Sequence, residues 1–401
     1  MKLNIGKDMY LKGRIGWKGL SKNEYLDKSE YKIINATALN DGLVDYEKCG
    51  YISKERFLES EDIIVKNNDI LISKDGTLGK IGYVKNLKEK LTVASGIFIL
   101  RNSKIKELNM DYLYHILKSD IFKNFINKKK ALGSTINHLY QRDLEQFEID
   151  IPNYKQQTSI SNILNQIELK MDINNRIIMK LESMMKDIYD YWFVQFDFPN
   201  EKGKPYKSSG GKMVYNEKLK REIPEIFGLK TVEDFCDIFT GKKDVNKSLD
   251  NGKYKFFSCA PEFRYSNEYL YDGKAILVSG NGSYTGRTIF VNDKFDLYQR
   301  TYAIVIKDDT QDIIEFIYLS LKTYFVLKVK GGTHGSAIPY IVYNDIANEP
   351  ILYNKEIIMK FIDIVKQLLQ KIVAIKNQND KLKEYKNFIL PLLMNGQVEV
   401  V

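Results

Sequence analysis

Residues 154–192 read YKQQTSISNILNQIELKMDINNRIIMKLESMMKDIYDYW. In this stretch Ile160, Leu164, Ile167, Met171, Asn174, Ile178, Leu181, Met185, Ile188 and Trp192 recur at alternating spacings of four and three. That period is a heptad seam, the mark of a long helix burying one narrow stripe. Residues 355–390 carry the same pattern through Phe361, Val365, Leu368, Ile372, Ile375, Asn379, Leu382, Lys386 and Ile389, and Pro391 is expected to stop that helix. At about 1.5 Å per residue the two helices would run roughly 58 Å and 54 Å. No ordinary domain covers so long a seam, whereas two seams of matching length cover each other as an intramolecular coiled coil. Asn174 and Asn379 interrupt the stripes, and a buried polar seam residue fixes register at some cost in stability.

Outward from the helices, the second half of the chain replays the first at an offset of about 200 residues. ILISKDGTLGKIGYV (70–84) matches ILVSGNGSYTGRTIFV (276–291), pairing Ser73 with Ser279, Gly76 with Gly282, Thr77 with Ser283 and Gly79 with Gly286. Each reads as a strand, a glycine turn and a returning strand. An apolar run follows in both, VASGIFILR (93–101) and YQRTYAIVIK (298–307). Next comes one amphipathic helix, 111–126 and 314–329, and then a small-residue loop, LGSTINHLYQRDL (132–144) against HGSAIPYIVYNDI (334–346). The expected fold is α/β: two similar mixed α/β globules separated by two long helices that form an antiparallel coiled coil, provided the globules occupy opposite ends. The divisions fall at 1–153 for the first globule, 154–196 for the first long helix, 197–227 for a linker rich in Pro, Gly and Ser, 228–353 for the second globule and 354–401 for the second long helix.

Composition narrows the function. With 44% apolar and 28% charged residues, the 401-residue chain is that of a folded globular protein of more than one domain. The net charge of +9 divides as +4 and +5 between residues 1–200 and 201–401, a mild basic balance that suits a polyanionic partner. Cys49, Cys236 and Cys259 form no C-x-x-C pair, which favours a reducing compartment and argues against structural zinc. No apolar signal core or membrane-length run occurs, so a cytoplasmic location is expected and no membrane partner.

Catalytic constellations fail inspection. GNGSYTGRT (280–288) resembles a phosphate-cradling loop, but five residues separate Gly280 from Gly286 and Arg287 stands where Lys is needed. Glu168 and Lys170 spell an E-x-K, yet both fall on non-seam faces of the first long helix, where solvated charges are expected. His115, His138 and His334 have no ligand-like spacing, and no G-x-S-x-G elbow or N/D-P-P-Y box appears. A non-catalytic chain with no metal and no cofactor of its own is expected.

What each globule offers is donors on loops. The first has Ser73, Lys74, Asp75, Thr77 and Lys80 on its glycine turn, then Ser134, Thr135, Asn137 and His138. The second has Asn281, Ser283, Tyr284 and Arg287, then Thr333, His334, Ser336 and Tyr340. Hydroxyls and amides bond phosphates, and Arg, Lys and Asn read base edges, so these are candidate DNA-binding residues. The same residues would also serve as plain turn formers.

The order of two variable globules each followed by a heptad helix, together with YWFVQFDFPNEKGKPYKSSGGKMV (191–214), REIP (221–224) and KDGTLGKIGYV (74–84), closely resembles the specificity subunit of bacterial Type I restriction-modification enzymes. The resemblance covers essentially the whole chain. It implies that each globule is a target-recognition domain reading one half of a bipartite double-stranded DNA sequence. It also implies that the helices dock two methyltransferase subunits, which bind S-adenosylmethionine and methylate adenine, and that restriction subunits using ATP and Mg²⁺ can join them. One departure is that Pro339 and Tyr340 replace Asn137 and His138. The alternative reading from a different class is a coiled-coil adaptor whose globules bind protein.

Overall fold

The computed structural model describes residues 1–14, 19–40, 42–130, 138–307, 310, 312–330, 339–394 and 397–398. The chain divides into two compact units, Met1–Met171 with Lys381–Val401, and Asp172–Asp380.

In the first unit a six-stranded sheet runs in the order Met9–Gly13, Ile97–Asn102, Ile70–Ser73, Ile81–Tyr83, Gly42–Val44, Leu39–Asn40. Its pairs are antiparallel except Gly42–Val44 against Ile81–Tyr83. A three-stranded sheet (Gly50–Ile52, Tyr31–Ile34, Lys90–Val93) and the pair Lys2–Asn4 with Glu148–Asp150 complete it. The central strands read as unbroken apolar runs because both sheet faces are covered. Ile70, Ile72, Phe98 and Leu100 enter one core while Leu71, Ile97 and Ile99 enter another, the two-residue alternation of a strand.

The second unit repeats this plan. Its six-stranded sheet begins Cys236–Thr240, Thr301–Ile306, Tyr271–Ser279, Thr288–Leu297, the counterpart of the first four strands above, and ends Tyr254–Phe257, Arg264–Ser266. Gly228–Thr231 pairs with Pro350–Tyr353 as Lys2–Asn4 does with Glu148–Asp150. Alternation again splits the strands, Ile276, Val278 and Ile304 to one side and Ala275, Leu277, Ala303 and Val305 to the other.

The helix over each sheet departs from the expectation of a single element. In the first unit Ser119 adopts an extended conformation between Met110–Lys118 and Asp120–Lys130, and its hydroxyl donates to the Ile116 carbonyl, 2.6 Å, competing with the helical ladder. In the second unit the chain stays helical from Ile314 to Lys330 through a π-turn at Leu321–Phe325.

Both long helices form, over Tyr154–Tyr189 and Lys355–Met394. Pro391 does not end the second one, which continues three residues further. So close to the terminus a missing N–H removes one bond from a turn that has few left to lose. The pairing is antiparallel: Glu168 meets Lys386 in the first unit, while Asn174 meets Asn379 and Glu182 meets Lys376 in the second. The seams also serve the globules. Ile160 and Leu164 join the first unit's core with Leu390 and Leu393, whereas Ile178, Leu181 and Met185 join the second unit's core with Phe361, Val365 and Ile372. Leu369 there is buried more deeply than the seam residue Leu368, because the apolar face widens towards the sheet.

Residues 197–227, read from composition as a linker, are packed. Phe198, Ile223 and Phe227 lie in the second unit's core, and Met213–Asn216 pairs with Arg221–Pro224 as a hairpin. Glycine and proline mark turns here, and the aromatic residues between them are anchors. Glu168 is likewise no solvated charge. Its carboxylate receives the ammonium groups of Lys118 (3.1 Å) and Lys386 and the Tyr114 hydroxyl (3.3 Å), while Lys170 is exposed as expected.

Candidate nucleic-acid interface

Strand Ile70–Ser73 leaves its sheet into the glycine turn and returns at Ile81. Ser73 N–H donates to the Lys80 carbonyl and Gly79 N–H to the Ser73 carbonyl, both 2.9 Å. The second unit has the same closure with one residue more, Ser279 N–H to Arg287 carbonyl at 3.0 Å and Gly286 N–H to Ser279 carbonyl at 2.8 Å. Gly79 (φ +73°) and Gly286 (φ +80°) occupy the left-handed region, and a Cβ there would press on Ile126 or Val329 of the covering helix, at 3.3 Å or 3.2 Å. Glycine therefore lets the turn lie down on the helix.

Two further loops meet each turn. Leu139 N–H donates to the Lys74 carbonyl and Ile341 N–H to the Gly280 carbonyl, both 2.9 Å, so the described part of the following loop makes the same bond in both units. Asp75 bridges His138 just as Asn281 bridges Tyr340. The hairpin tip before the next strand closes the corner, Lys74 N–H to Gly96 carbonyl and Gly280 N–H to Arg300 carbonyl, again 2.9 Å. One backbone corner is thus built twice with different side chains. Lys74, Asp75, Gly96 and His138 decorate the first, and Gly280, Asn281, Arg300 and Tyr340 the second.

The candidates divide by exposure. Thr77, Lys80, Ser283 and Tyr284 are exposed at the turn tips. Lys74 is half-buried with its ammonium 4.8 Å from the centre of the Phe98 ring, and burial lowers its pKa against the pull of Asp75. His138 Nδ1 contacts the Asp75 carboxylate. Asn281 accepts from the Cys259 thiol at 3.2 Å. Two candidates are corrected by their surroundings. Ser73 is fully buried, and its hydroxyl is used within the turn by the Thr77 carbonyl and Lys80 N–H. Arg287 donates to the carbonyls of Ala260 (3.0 Å) and Pro261 (2.9 Å), so it braces the 258–263 loop. Ser134, Thr135, Asn137, Thr333, His334 and Ser336 lie outside the described residues.

The hairpin tips carry functional positions that neither spacing nor composition marks strongly. Gln299 and Arg300 line a cleft of about 400 Å³ with Asn281 and Tyr340. The signal available was an arginine at the mouth of an otherwise apolar run, YQRTYAIVIK. Among the described residues, no group of three or more His, Cys, Asp or Glu could hold a metal ion, and no helix is long and apolar enough to cross a membrane.

Residues 15–183 and 224–384 each match the family described as Type I restriction modification DNA specificity domain. The chain belongs to this family. Among its relatives, the Type I restriction enzyme MjaIX specificity subunit of Methanocaldococcus jannaschii is 27% identical over 89% of this chain and 85% of its own. The EcoDI specificity subunit of Escherichia coli is 31% identical over 42% of this chain and 38% of its own. The fold is similar to the crystal structure of a Type-I restriction-modification system S subunit from M. genitalium, with a TM-score of 0.57 and 19% identity over 98% of this chain and 95% of that one. This DNA specificity subunit is a recognition component and not an enzyme, and its two family matches fall on the two halves of the internal repeat. The protein-binding adaptor is not favoured.

Proposed function

We propose that each unit reads one half of a bipartite double-stranded DNA sequence through its three-loop corner, and that the chain directs two methyltransferase subunits to that site. The observation that carries this reading is the repeated corner: identical backbone bonds hold different side chains, which is what two readers of different half-sequences require. Residues 1–153 and 228–353 are the two recognition domains in this reading, joined by 154–227 and followed by 354–401. Lys74, Thr77, Lys80 and His138 in the first, and Asn281, Ser283 and Tyr284 in the second, supply donors to phosphates and base edges. Ser134, Thr135, Asn137, Thr333, His334 and Ser336 belong to the same loops by sequence. S-adenosylmethionine is bound by the methyltransferase partners and ATP with Mg²⁺ by restriction subunits where these join, with no cofactor on this chain. Because two moderate readings act on one molecule, the second engagement is effectively intramolecular and gains affinity over either alone.

Exchange of residues 228–353 for the matching segment of a relative, followed by methylome sequencing in a host carrying the methyltransferase, tests the proposal. One half of the methylated sequence should change and the other persist. Alteration of both halves together, or of neither, overturns it. DNA affinity should also fall steeply with salt as counterions are released, which an adaptor for neutral protein surfaces would not show.

A further inference from the structure

The chain holds nine arginines, and among the described residues eight of them are committed. Arg56, Arg101, Arg176 and Arg264 pair with carboxylates. Arg14 donates to Val93 and Thr92, and Arg287 to Ala260 and Pro261. Arg142 and Arg221 lie over the rings of Tyr140 and Phe196. Arg300 is exposed, and among the described residues its guanidinium makes no hydrogen bond, ion pair or ring contact, with only the electrostatic influence of the Tyr302 phenol nearby.

Its root, in contrast, is fixed. The Arg300 carbonyl accepts from Gly280 N–H at 2.9 Å and from the Cys259 thiol at 3.3 Å. The hairpin tip around it is pinned by Tyr298 N–H to Phe257 carbonyl (2.9 Å), Gln299 N–H to Lys243 carbonyl (3.0 Å) and Thr301 N–H to Tyr298 carbonyl (3.0 Å). In this corner a Cβ on residue 280 would fall 2.4 Å from the Arg300 carbonyl oxygen, so the close approach here uses glycine, whereas Lys74 makes the equivalent contact with Gly96. With the backbone already fixed, engaging a ligand orders only the Arg300 side chain, whose planar fork loses less freedom per hydrogen bond formed than a lysine would. The fork borders the cleft that Asn281, Gln299 and Tyr340 also line; among the described residues no carboxylate lines that cleft, and Asp244, held by Gln299 at 3.1 Å, lies behind it. The Asn281 carbonyl oxygen is held by the Cys259 thiol at 3.2 Å and the Gln299 amide by Asp244 at 3.1 Å, which leaves an amide donor and an amide acceptor beside the cation, a pairing that fits the edge of a nucleobase with its acceptors and donors. A phosphate would need donors only.

We infer that Arg300 is a specificity-determining residue that reads a guanine, through its O6 and N7 acceptors, in the half-sequence recognised by the second unit. This rests on the proposed reading of one half-site by each unit. Guanine is the base whose major-groove edge presents two adjacent acceptors matching a guanidinium fork. The first unit has Gly96 at the equivalent tip, so its corner reads by other side chains.

The test uses the full chain with its methyltransferase partner, comparing wild type with Arg300→Ala and Arg300→Lys. The charge-keeping lysine variant separates fork geometry from charge. Methylome sequencing and competition binding to duplexes altered one base at a time should show preference at a single guanine position of one half-site reduced about 10- to 100-fold in Arg300→Ala. Arg300→Lys should recover affinity more than preference, and the other half-site should be untouched. A uniform loss across all sequences, with a salt dependence weakened by about one ion, would make Arg300 a phosphate contact and overturn the inference while leaving the half-site reading intact. An unchanged motif at unchanged affinity would overturn it as well. Simultaneous degeneration of both half-sites would instead overturn the reading of one half by each unit.

Discussion

Asn174 donates its side-chain amide to the Asn379 carbonyl oxygen at 2.7 Å, between the two long helices of the second unit. Gln378 accepts from the same Asn174 amide at 2.9 Å, and Asn379 donates in turn to Asn175 at 2.8 Å. The partners are not equivalent in the repeat. Aligning Ile160 with Phe361 places Asn174 opposite Ile375 in the alignment and Asn379 opposite Ile178. The two asparagines therefore meet only when the first helix pairs with the second in this register, and a slip to the neighbouring seam positions sets an amide against Ile375, Leu382, Met171 or Ile178. Asn174→Ala is expected to cost about 1 kcal/mol, because it removes the hydrogen bonds of a buried amide while its partners, half-buried Asn379 and exposed Gln378, can turn to water. A double variant Asn174→Leu/Asn379→Leu should regain much of that stability while loosening the register. Denaturant unfolding of the single and double variants measures the coupling, and strict additivity of the two single losses would show that the pair has no joint role.

Glu168 is the acceptor at the centre of the first unit's charged cluster. Burial, the largest single effect, pushes its carboxyl up, but Lys118, Lys386 and His115 together outweigh it and hold the group at about 2. A carboxylate with a depressed folded pKa adds stability that is full above the unfolded value and is lost as pH falls towards the folded one. Glu168 should therefore contribute about 2–3 kcal/mol at neutral pH, and the loss should fall between about pH 4.5 and pH 2. Glu168→Gln should destabilise by a similar amount and flatten acid unfolding in that window, as read from unfolding free energies at several pH values. An equally steep acid limb in the variant would place the sensitivity elsewhere.

His115 titrates against a different window. It is fully buried, and burial lowers its pKa to about 4 although Glu168 and Asn165 pull upward. Nε2 lies 2.9 Å from the Asn165 Oδ1, and Asn165 gives its own amide to Asp111 at 2.8 Å, so Nε2 carries the proton and Nδ1 is the bare nitrogen. The unfolded histidine, near 6.5, takes up a proton before the folded one can. Stability from the neutral ring is thus complete above about pH 6.5 and falls by about 3 kcal/mol as pH drops to 4. His115→Gln keeps a donor for Asn165 and removes the titration. Its unfolding free energy should be flatter than wild type between pH 6.5 and 4, and an unchanged slope there would contradict the assignment.

These features mark where sequence reading ends. The heptads and the repeat were visible because strict spacing and a replayed order leave few alternatives, and they led to the two units, the antiparallel helices and the glycine turns. The burial of Glu168 was not visible, since its partners Lys118 and Lys386 lie 50 and 218 residues away. Nor was the bracing role of Arg287, whose acceptors are backbone carbonyls with no side-chain signature. Arg300 escaped notice for a related reason: its value comes from being uncommitted, which only the placement of the other eight arginines reveals. Residues 197–227 misled because glycine and proline mark a turn-rich packed segment in the same letters as an open linker.

At the bridged pair of side chains the two corners carry different chemistry on the same backbone. Asp75 and His138 form an ionisable pair on the first corner, with side chains 49% and 31% exposed, and the second corner puts Asn281 and Tyr340 at those positions. So exposed a pair contributes little to stability, about 1 kcal/mol or less, and the backbone bridge that joins the two loops does not depend on the side chains. A carboxylate can accept from the amino group of cytosine, whereas an asparagine amide pairs with adenine through its N6 and N7. Asp75→Asn with His138→Tyr should therefore leave the unfolding free energy within about 1 kcal/mol of wild type. The same double variant should change the base preferred at one position of the half-sequence read by the first unit, away from cytosine and towards adenine, with the second half-sequence unaltered. Methylome sequencing of the full chain with its methyltransferase reads both halves at once. A stable variant whose methylated sequence is identical to wild type would remove these two residues from the reading surface and move attention to Lys74, Thr77 and Lys80 on the same turn.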